Sequence, residues 1–196
     1  MQFRVAARTA AGLALAFATA LIPVVPAGAE TLIDPAPPAA KEPAAIEEHC
    51  AIGLDAVAAA DRAGAEAPEP VCFSSLDEVD RYLAEQTTDD GSRLTAAAAA
   101  SVAVGRVYKD ASKGGSSLTF WGSSGCAGVT FGFPSLSSGW NSSISSLTGL
   151  NGCWATAYAA TSYSGTRANC TPYCATLGSL NDRVKSLVFR PTGSLG

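Results

Sequence analysis

The chain has 196 residues and a formal net charge of −4, with six cysteines and a single histidine, His49. A serine or cysteine nucleophile needs an imidazole beside it. After residue 100 the sequence has no histidine and only two acidic residues, Asp110 and Asp182. We therefore predict that the protein is not an enzyme. No basic run is interleaved with aromatic residues, so the usual pattern of nucleic-acid binding is excluded.

Residues 1–29 have the pattern of a secretory signal peptide. Two arginines precede an apolar run at 10–25, and small residues before Glu30 provide a cleavage site after Ala29. A membrane anchor is the alternative. However, two prolines would break such a helix, and the run is short for a bilayer that needs about 20 apolar residues. We expect export, cleavage and a secreted, extracellular protein without a membrane span.

Export makes disulfide bonds the expected state of the six cysteines. Six cysteines allow fifteen pairings, and the sequence alone does not choose among them. A zinc site is the alternative, but a Cys-x3-Cys spacing without neighbouring histidines fits one poorly. Closeness in the sequence favours three bonds: Cys50–Cys72, Cys126–Cys153 and Cys170–Cys174.

Charge divides the mature chain into two regions. Residues 30–100 carry fifteen acidic and four basic side chains, a net charge of −11. Residues 101–196 carry two acidic and seven basic side chains, a net charge of +5. The acidic region begins as a Pro-rich linker at 34–45. Its hydrophobic pattern then predicts one helix at 52–64 and another at 74–86.

The second predicted helix has a defined start and one apolar face. Ser75 and Glu78 form a capping-box pattern, and the apolar face is made by Leu76, Val79 and Leu83. Two short helices bury too little surface for an independent domain. The acidic region is therefore either a solvated spacer or a pro-segment that covers the basic domain, drawn to it by the opposite charge.

Residues 101–196 predict an all-β sandwich, because short β-prone runs alternate with glycine and serine. One Tyr-x4-Tyr-x-Gly template occurs twice, with lysine replacing the second tyrosine in the first copy. Its glycine fits a sharply folded hairpin, which needs a backbone position without a Cβ atom. The two copies are Tyr108, Lys113 and Gly115, and Tyr158, Tyr163 and Gly165.

Each copy is followed by a similar corner sequence, NSSISS at 141–146 and NDRVKS at 181–186. In this order the elements resemble the βγ-crystallin superfamily, and within it the secreted bacterial members that include the Streptomyces-type metalloproteinase inhibitors. The resemblance covers residues 102–191. It implies a two-sheet Greek-key domain in which two motifs are related by a pseudo-twofold axis.

In the calcium-binding branch of that superfamily, side-chain oxygens at the second and fifth corner positions bind ions between the two corners. Calcium prefers several oxygen ligands, some of them charged. Here Ser142 supplies only a neutral hydroxyl, and Lys185 places an ammonium at a ligand position. We therefore expect no required cofactor and at most weak calcium binding. The candidate ligands are Asn141, Ser142, Ser143, Ser145, Asn181, Asp182 and Arg183.

The resemblance to peptidase inhibitors implies a protein-binding loop. The related inhibitors carry a Cys-x4-Cys loop, whereas this sequence has a Cys-x3-Cys loop that is one residue shorter. A rigid loop loses little freedom when it binds in a protease cleft. The alternative is a disulfide that only staples a weak hairpin. The candidate inhibitory residues are Cys170, Thr171, Pro172, Tyr173 and Cys174.

Three hypotheses of function follow. The leading one is a monomeric, non-catalytic, secreted inhibitor whose partner is a protease. The second is a structural or weakly calcium-binding extracellular domain. The third is a cationic protein that binds anionic cell surfaces, with antimicrobial action, after the acidic region is released.

Overall fold

The computed structural model describes residues 46–88, 101–137 and 139–195. These residues belong to one compact unit that spans 44–196. The predicted signal peptide and the predicted Pro-rich segment lie outside the described residues. Within the described ranges, no helix is both long enough and apolar enough to cross a membrane.

The described residues form twelve regular elements and two single-turn 3-10 helices at 111–113 and 178–180. In the acidic region these are β1 (His49–Gly53), α1 (Leu54–Ala63), β2 (Val71–Phe73) and α2 (Leu76–Thr88). In the basic region they are β3 (Val102–Tyr108), β4 (Ser117–Gly122), β5 (Phe131–Phe133), β6 (Ser146–Gly149), β7 (Cys153–Ala160), β8 (Ser164–Cys170), β9 (Tyr173–Cys174) and β10 (Ser186–Pro191).

The described strands form two sheets. The six-stranded sheet has the order β2-β1-β4-β3-β6-β9, and the four-stranded sheet has the order β5-β10-β7-β8. Strands β3 to β6 form the first motif and β7 to β10 the second. The third strand of each motif crosses to the other sheet, so that β5 pairs with β10 and β9 pairs with β6. This exchange confirms the predicted all-β, two-motif Greek-key sandwich.

The main core lies between the two sheets. The ring of Phe120, in β4, is 5.3 Å from the ring of Phe133 and 5.2 Å from that of Phe189, measured between centroids. Phe120 and Phe189 are fully buried, and Phe133 is nearly so. Aromatic pairs of this kind contribute about 0.5–1.5 kcal/mol beyond the burial of their area. The three rings therefore join strands from both motifs and both sheets.

The acidic region contributes two strands to the six-stranded sheet. β1 pairs in parallel with β4, from His49 opposite Ser117 to Gly53 opposite Trp121. β2 pairs antiparallel with β1. β4 would otherwise lie at the edge of its sheet, and β1 covers that edge along five residues.

The acidic region also shares the hydrophobic core. Ile52, Leu54 and Val57 are buried in the cluster that fills the space between the sheets. On the other side of the six-stranded sheet, Val79 and Leu83 of α2 form a second buried cluster with Ala51 and pack against Trp121.

The described acidic residues therefore differ from the predicted solvated spacer, and no separate unit begins near residue 100. Both predicted helices are present with shifted bounds. α1 covers Leu54–Ala63, because the two residues before it belong to β1, and α2 covers Leu76–Thr88, which begins and ends two residues later than predicted. β1 was not predicted, because its five residues lead directly into a helical pattern. Each helix buries one apolar face: Leu54 and Val57 of α1 lie in the main core, and Val79 and Leu83 of α2 lie in the second cluster.

The predicted capping pattern is present at the start of α2. The Glu78 N–H donates to the Ser75 hydroxyl at 3.3 Å. The Glu78 carboxylate reaches back one residue further than predicted and accepts from the N–H and the hydroxyl of Ser74, at 2.9 and 2.8 Å. The hydrogen bond from the Ser74 hydroxyl is the main cause that lowers the pKa of Glu78.

The three predicted disulfide bonds are confirmed, and the six cysteines are all paired. Cys50 and Cys72 are directly opposite each other in β1 and β2. The other two bonds fasten the two segments that cross between the sheets. Cys126–Cys153 fastens the segment between β4 and β5, and Cys170–Cys174 fastens the one between β8 and β9.

Candidate functional site

The two template copies form equivalent folded hairpins. Gly115 and Gly165 have φ values of 69° and 80°, which belong to the left-handed region that favours glycine. Lys113 and Tyr163, two residues earlier in each copy, also have positive φ values of 67° and 59°. The replacement of tyrosine by lysine therefore leaves the backbone of the hairpin unchanged.

In each motif, one serine fixes the folded hairpin through two hydrogen bonds. The buried Ser146 hydroxyl accepts a hydrogen bond from the Lys113 N–H at 3.0 Å and donates to the Asp110 carbonyl at 2.7 Å. The buried Ser186 hydroxyl accepts from the Tyr163 N–H at 3.1 Å and donates to the Ala160 carbonyl at 2.7 Å. The repeated serines of the two corners thus have the same structural role.

The two corners face each other across the pseudo-twofold axis. The Ser142 N–H donates to the Val184 carbonyl, and the Asp182 N–H donates to the Ile144 carbonyl, both at 3.0 Å. Ser142 and Asp182 occupy the same corner position and have φ values of 61° and 53°. The backbone of each corner is therefore held by a hydrogen bond to the backbone of the opposite corner.

The two corners could form two ion sites, each made by the second position of one corner and the fifth position of the other. Only one of these two halves has side-chain oxygen atoms at both positions. The Ser145 hydroxyl lies 3.3 Å from Asp182 Oδ1, so the fifth position of one corner meets the second position of the other. The other carboxylate oxygen of Asp182 accepts from Asn181 Nδ2 at 2.6 Å. The equivalent half carries Ser142 and Lys185, with one hydroxyl and one ammonium. These residues do not fit a site for two calcium ions.

The remaining candidate ligands are engaged within their own corners. The Ser142 hydroxyl donates to Asn141 Oδ1 at 2.8 Å, and the Ser143 hydroxyl donates to the Gly139 carbonyl at 2.8 Å. Arg183 Nη1 donates to the Ser179 carbonyl at 3.3 Å. Among the described residues, no group of three histidine, cysteine or acidic side chains is placed to hold a metal ion.

We expect millimolar calcium to change the melting temperature by less than about 2 °C, because a ligand near its Kd adds only about 0.4 kcal/mol. The double variant Ser142→Asp/Lys185→Ser restores oxygen ligands to the second half and should produce a larger calcium-dependent rise. Differential scanning fluorimetry with calcium or EDTA measures both. A rise of 5 °C or more in the unmodified protein, estimated on the same scale as roughly 2 kcal/mol, would contradict the expectation.

Aromatic rings cover the two hairpins differently. The Tyr158 and Tyr163 rings pack edge to face with centroids 6.1 Å apart. In the first motif the Lys113 ammonium lies 4.8 Å from the centre of the Tyr173 ring. Burial raises the pKa of both Tyr108 and Tyr163 above the ordinary tyrosine value, so both hydroxyls stay neutral near pH 7.

The cysteine-closed loop is fixed on several sides. Cys170 is fully buried, whereas Thr171 and Pro172 are exposed and Tyr173 is 39% exposed. The Pro172 carbonyl accepts from the Gly149 N–H at 2.7 Å. Tyr173 lies opposite Thr148 in the β6–β9 ladder. The loop therefore presents its first two residues, while its second half is the edge strand of the six-stranded sheet.

The opposite charges of the two regions meet in an ion pair. Arg106 Nη2 in β3 lies 3.0 Å from Asp80 Oδ1 in α2, and Arg106 Nε donates to the Thr119 hydroxyl at 2.7 Å. The Asp80 side chain is largely exposed, so the pair contributes on the order of 0–1 kcal/mol. Apolar burial, more than charge, holds the acidic region in place.

His49, the only histidine, has a packing role in the sheet. Its Nδ1 lies 2.9 Å from the hydroxyl of Ser117, the residue opposite it in β4. The side chain is half-buried rather than fully solvated, as expected from its place in a strand. This contact could not be predicted from the sequence, because β1 and β4 are distant in the chain.

No protein-family model matches the chain, and no curated protein matches it. Solved structures similar to it are βγ-crystallin domains. A double mutant of such a domain from Clostridium beijerinckii is 21% identical, covers 45% of this chain and 98% of its own, and has a TM-score of 0.37. A domain from Flavobacterium johnsoniae is 23% identical, with coverages of 47% and 99% and a TM-score of 0.33. An archaeal βγ-crystallin is 24% identical, with coverages of 46% and 98% and a TM-score of 0.33. Through the strand exchange of its two motifs, the described fold is a βγ-crystallin-like Greek-key sandwich.

Proposed function

We propose that this protein is a secreted, non-catalytic protein-binding module whose partner is an extracellular peptidase. The observation that carries the proposal is the loop closed by Cys170–Cys174, which presents Thr171 and Pro172 to solvent while its second half is held against β6. A loop that is ordered before binding loses little conformational freedom when it enters a cleft.

The proposed mode of action is occupation of the peptidase cleft without rapid turnover. If a peptidase cleaves next to Thr171, the disulfide still joins the two new ends. The pairing of Tyr173 with Thr148 holds the C-terminal end in place. Ends that stay together at high effective concentration favour resynthesis of the peptide bond over release. The shorter Cys-x3-Cys spacing limits the contact to the tip, chiefly Thr171 and Pro172.

We expect stoichiometric inhibition when the mature chain, residues 30–196 with oxidised cysteines, is titrated against a thermolysin-type metallopeptidase and a subtilisin-type serine peptidase. Thr171→Glu should weaken inhibition at least about tenfold, because it places a charge at the centre of the contact. Residual hydrolysis of a fluorogenic peptide gives the inhibition constant.

Thr161→Glu is the matched control for that variant. Thr161 is another exposed threonine, in the turn between β7 and β8, so the same charge enters a surface remote from the loop tip. Its inhibition constant should stay that of the unmodified protein. Failure to inhibit either peptidase at large molar excess would overturn the peptidase as partner, and equal loss in both variants would overturn the role of the loop.

A further inference from the structure

The β8 strand is the one long edge of the described sheets. The four edge strands are β2, β9, β5 and β8, with three, two, three and seven residues. Short edges are a common protection against unwanted strand pairing, whereas a long exposed edge is a template for another strand. In β8, Ser164 to Arg167 and Asn169 are all exposed.

The free main-chain groups of β8 can be identified from its neighbours. The Tyr158 carbonyl accepts from the Lys185 N–H at 2.8 Å, so the peptide groups of Tyr158 point toward β10 and away from β8. Arg167 lies opposite Tyr158 in the β7–β8 ladder. Because peptide groups alternate in direction along an antiparallel pair, Arg167 and then Asn169 direct theirs away from β7. We name these outward groups of residues 164–169 the β8 edge.

The first motif shows what this kind of edge can accept. Ser117 of β4 and Arg167 of β8 are equivalent, since each lies two residues after the repeated glycine. The Ser117 N–H donates to the Glu48 carbonyl at 3.0 Å, at the point where β1 begins to pair with β4. The same chain thus adds a parallel strand to one of two equivalent edges and leaves the β8 edge open among the described residues.

The charge of the four-stranded sheet favours an acidic occupant. Its four strands contain Arg167 and Arg190 and no acidic residue. Arg190 Nε is buried and has no hydrogen-bond partner among the described residues. In the six-stranded sheet, by contrast, Arg106 is matched by Asp80 from the covering helix. Within the described ranges, neither arginine of the four-stranded sheet has such an ion-pair partner.

We propose that the β8 edge binds an extended acidic segment of a partner protein by strand addition. The main chain of the segment bonds to the outward peptide groups of Arg167 and to the N–H of Asn169, whose carbonyl lies 3.6 Å from Cys174 Sγ. A carboxylate beside the strand pairs with the Arg167 guanidinium. The side chains of the bound segment that lie on the same face of the sheet as the half-buried Ala168 contact that residue, so they are small or apolar. This surface is distinct from the loop tip and does not depend on a peptidase.

A capped six-residue peptide that alternates glutamate with valine tests the proposal when it is titrated into the isotope-labelled mature chain. We expect NMR shift changes and slower amide exchange at Arg167 and Asn169. Arg167→Glu should weaken binding about tenfold, since it replaces attraction by repulsion. Arg183→Glu makes the same charge change on a corner and should leave binding unaltered.

Arg167→Pro removes an outward N–H without removing a bond to β7, and it should abolish the protection at Asn169 while the NMR spectrum stays dispersed. Three results would overturn the proposal. They are equal binding of a lysine–valine peptide, binding that survives both Arg167 variants, and occupation of the β8 edge by a second copy, seen as a dimer by sedimentation. Peptidase inhibition, present or absent, has no bearing on these outcomes.

Discussion

A chain that begins at residue 101 is expected not to fold. This chain lacks β1, which pairs with the edge of β4, and it lacks Ile52, Leu54 and Val57 of the main core. Each large apolar side chain lost from a core costs about 2–5 kcal/mol. Together these losses are comparable with the whole free energy of unfolding of a typical domain, about 5–15 kcal/mol. Near-ultraviolet circular dichroism and urea denaturation measure the result.

The matched chain for this experiment is residues 46–196, which keeps the acidic strands and helices and should unfold cooperatively. The comparison separates loss of β1 from loss of the residues before it. If residues 101–196 alone showed a cooperative transition at the same urea midpoint as 46–196, the acidic region would be dispensable for the fold. Binding experiments on the basic region alone would then become meaningful.

The second large effect is expected from Ser146→Ala. The buried Ser146 hydroxyl bonds both the Lys113 N–H and the Asp110 carbonyl, in two partly buried hydrogen bonds. Alanine leaves both backbone groups without that partner, and a typical hydrogen bond contributes about 0.5–1.5 kcal/mol net. We therefore expect a loss of about 1–3 kcal/mol from the free energy of unfolding, read from the urea midpoint at constant m value.

Two further variants define the cause of that loss. Ser186→Ala should cost a similar amount, because its hydroxyl makes the equivalent two bonds in the second hairpin. Ser179→Ala, at an exposed position, should change stability by less than about 0.5 kcal/mol. A loss at Ser146 no greater than that at Ser179 would mean that the hairpin is held by its glycine and aromatic residues alone.

The duplicated fold could be predicted from the sequence because its constraints are local. The turn that brings Gly115 or Gly165 to a positive φ needs a fixed number of residues after the tyrosine, so the spacing is retained in both motifs. The corners repeat for the same reason, since Ser142 and Asp182 hold the same left-handed position. Each disulfide joins two cysteines that follow one another in the chain, at separations of 22, 27 and 4 residues, so pairing by sequence order favoured the bonds that are found.

The parts that escaped prediction depend on distant pairing. β1 has only five residues, and its register with β4 is set by a strand that lies far along the chain. The approach of the Ser145 hydroxyl to Asp182 also joins distant residues, and it was expected only because the resemblance implies two facing corners. The β8 edge is visible only once the strand order is known, because an edge is a property of the sheet and not of the strand sequence.

The position of β1 has a consequence for the order of folding. His49 and Ser117 are neighbours in the sheet but 68 residues apart in the chain. During synthesis the residues of β1 and β2 are therefore made before those of β4. Contacts of such long sequence separation form late, since the chain between them must be ordered first. We expect the pairing of β1 with β4 to form late in folding. Until it forms, the nascent β4 edge is open to pairing with other chains, and this interval is when the protein is most prone to aggregate.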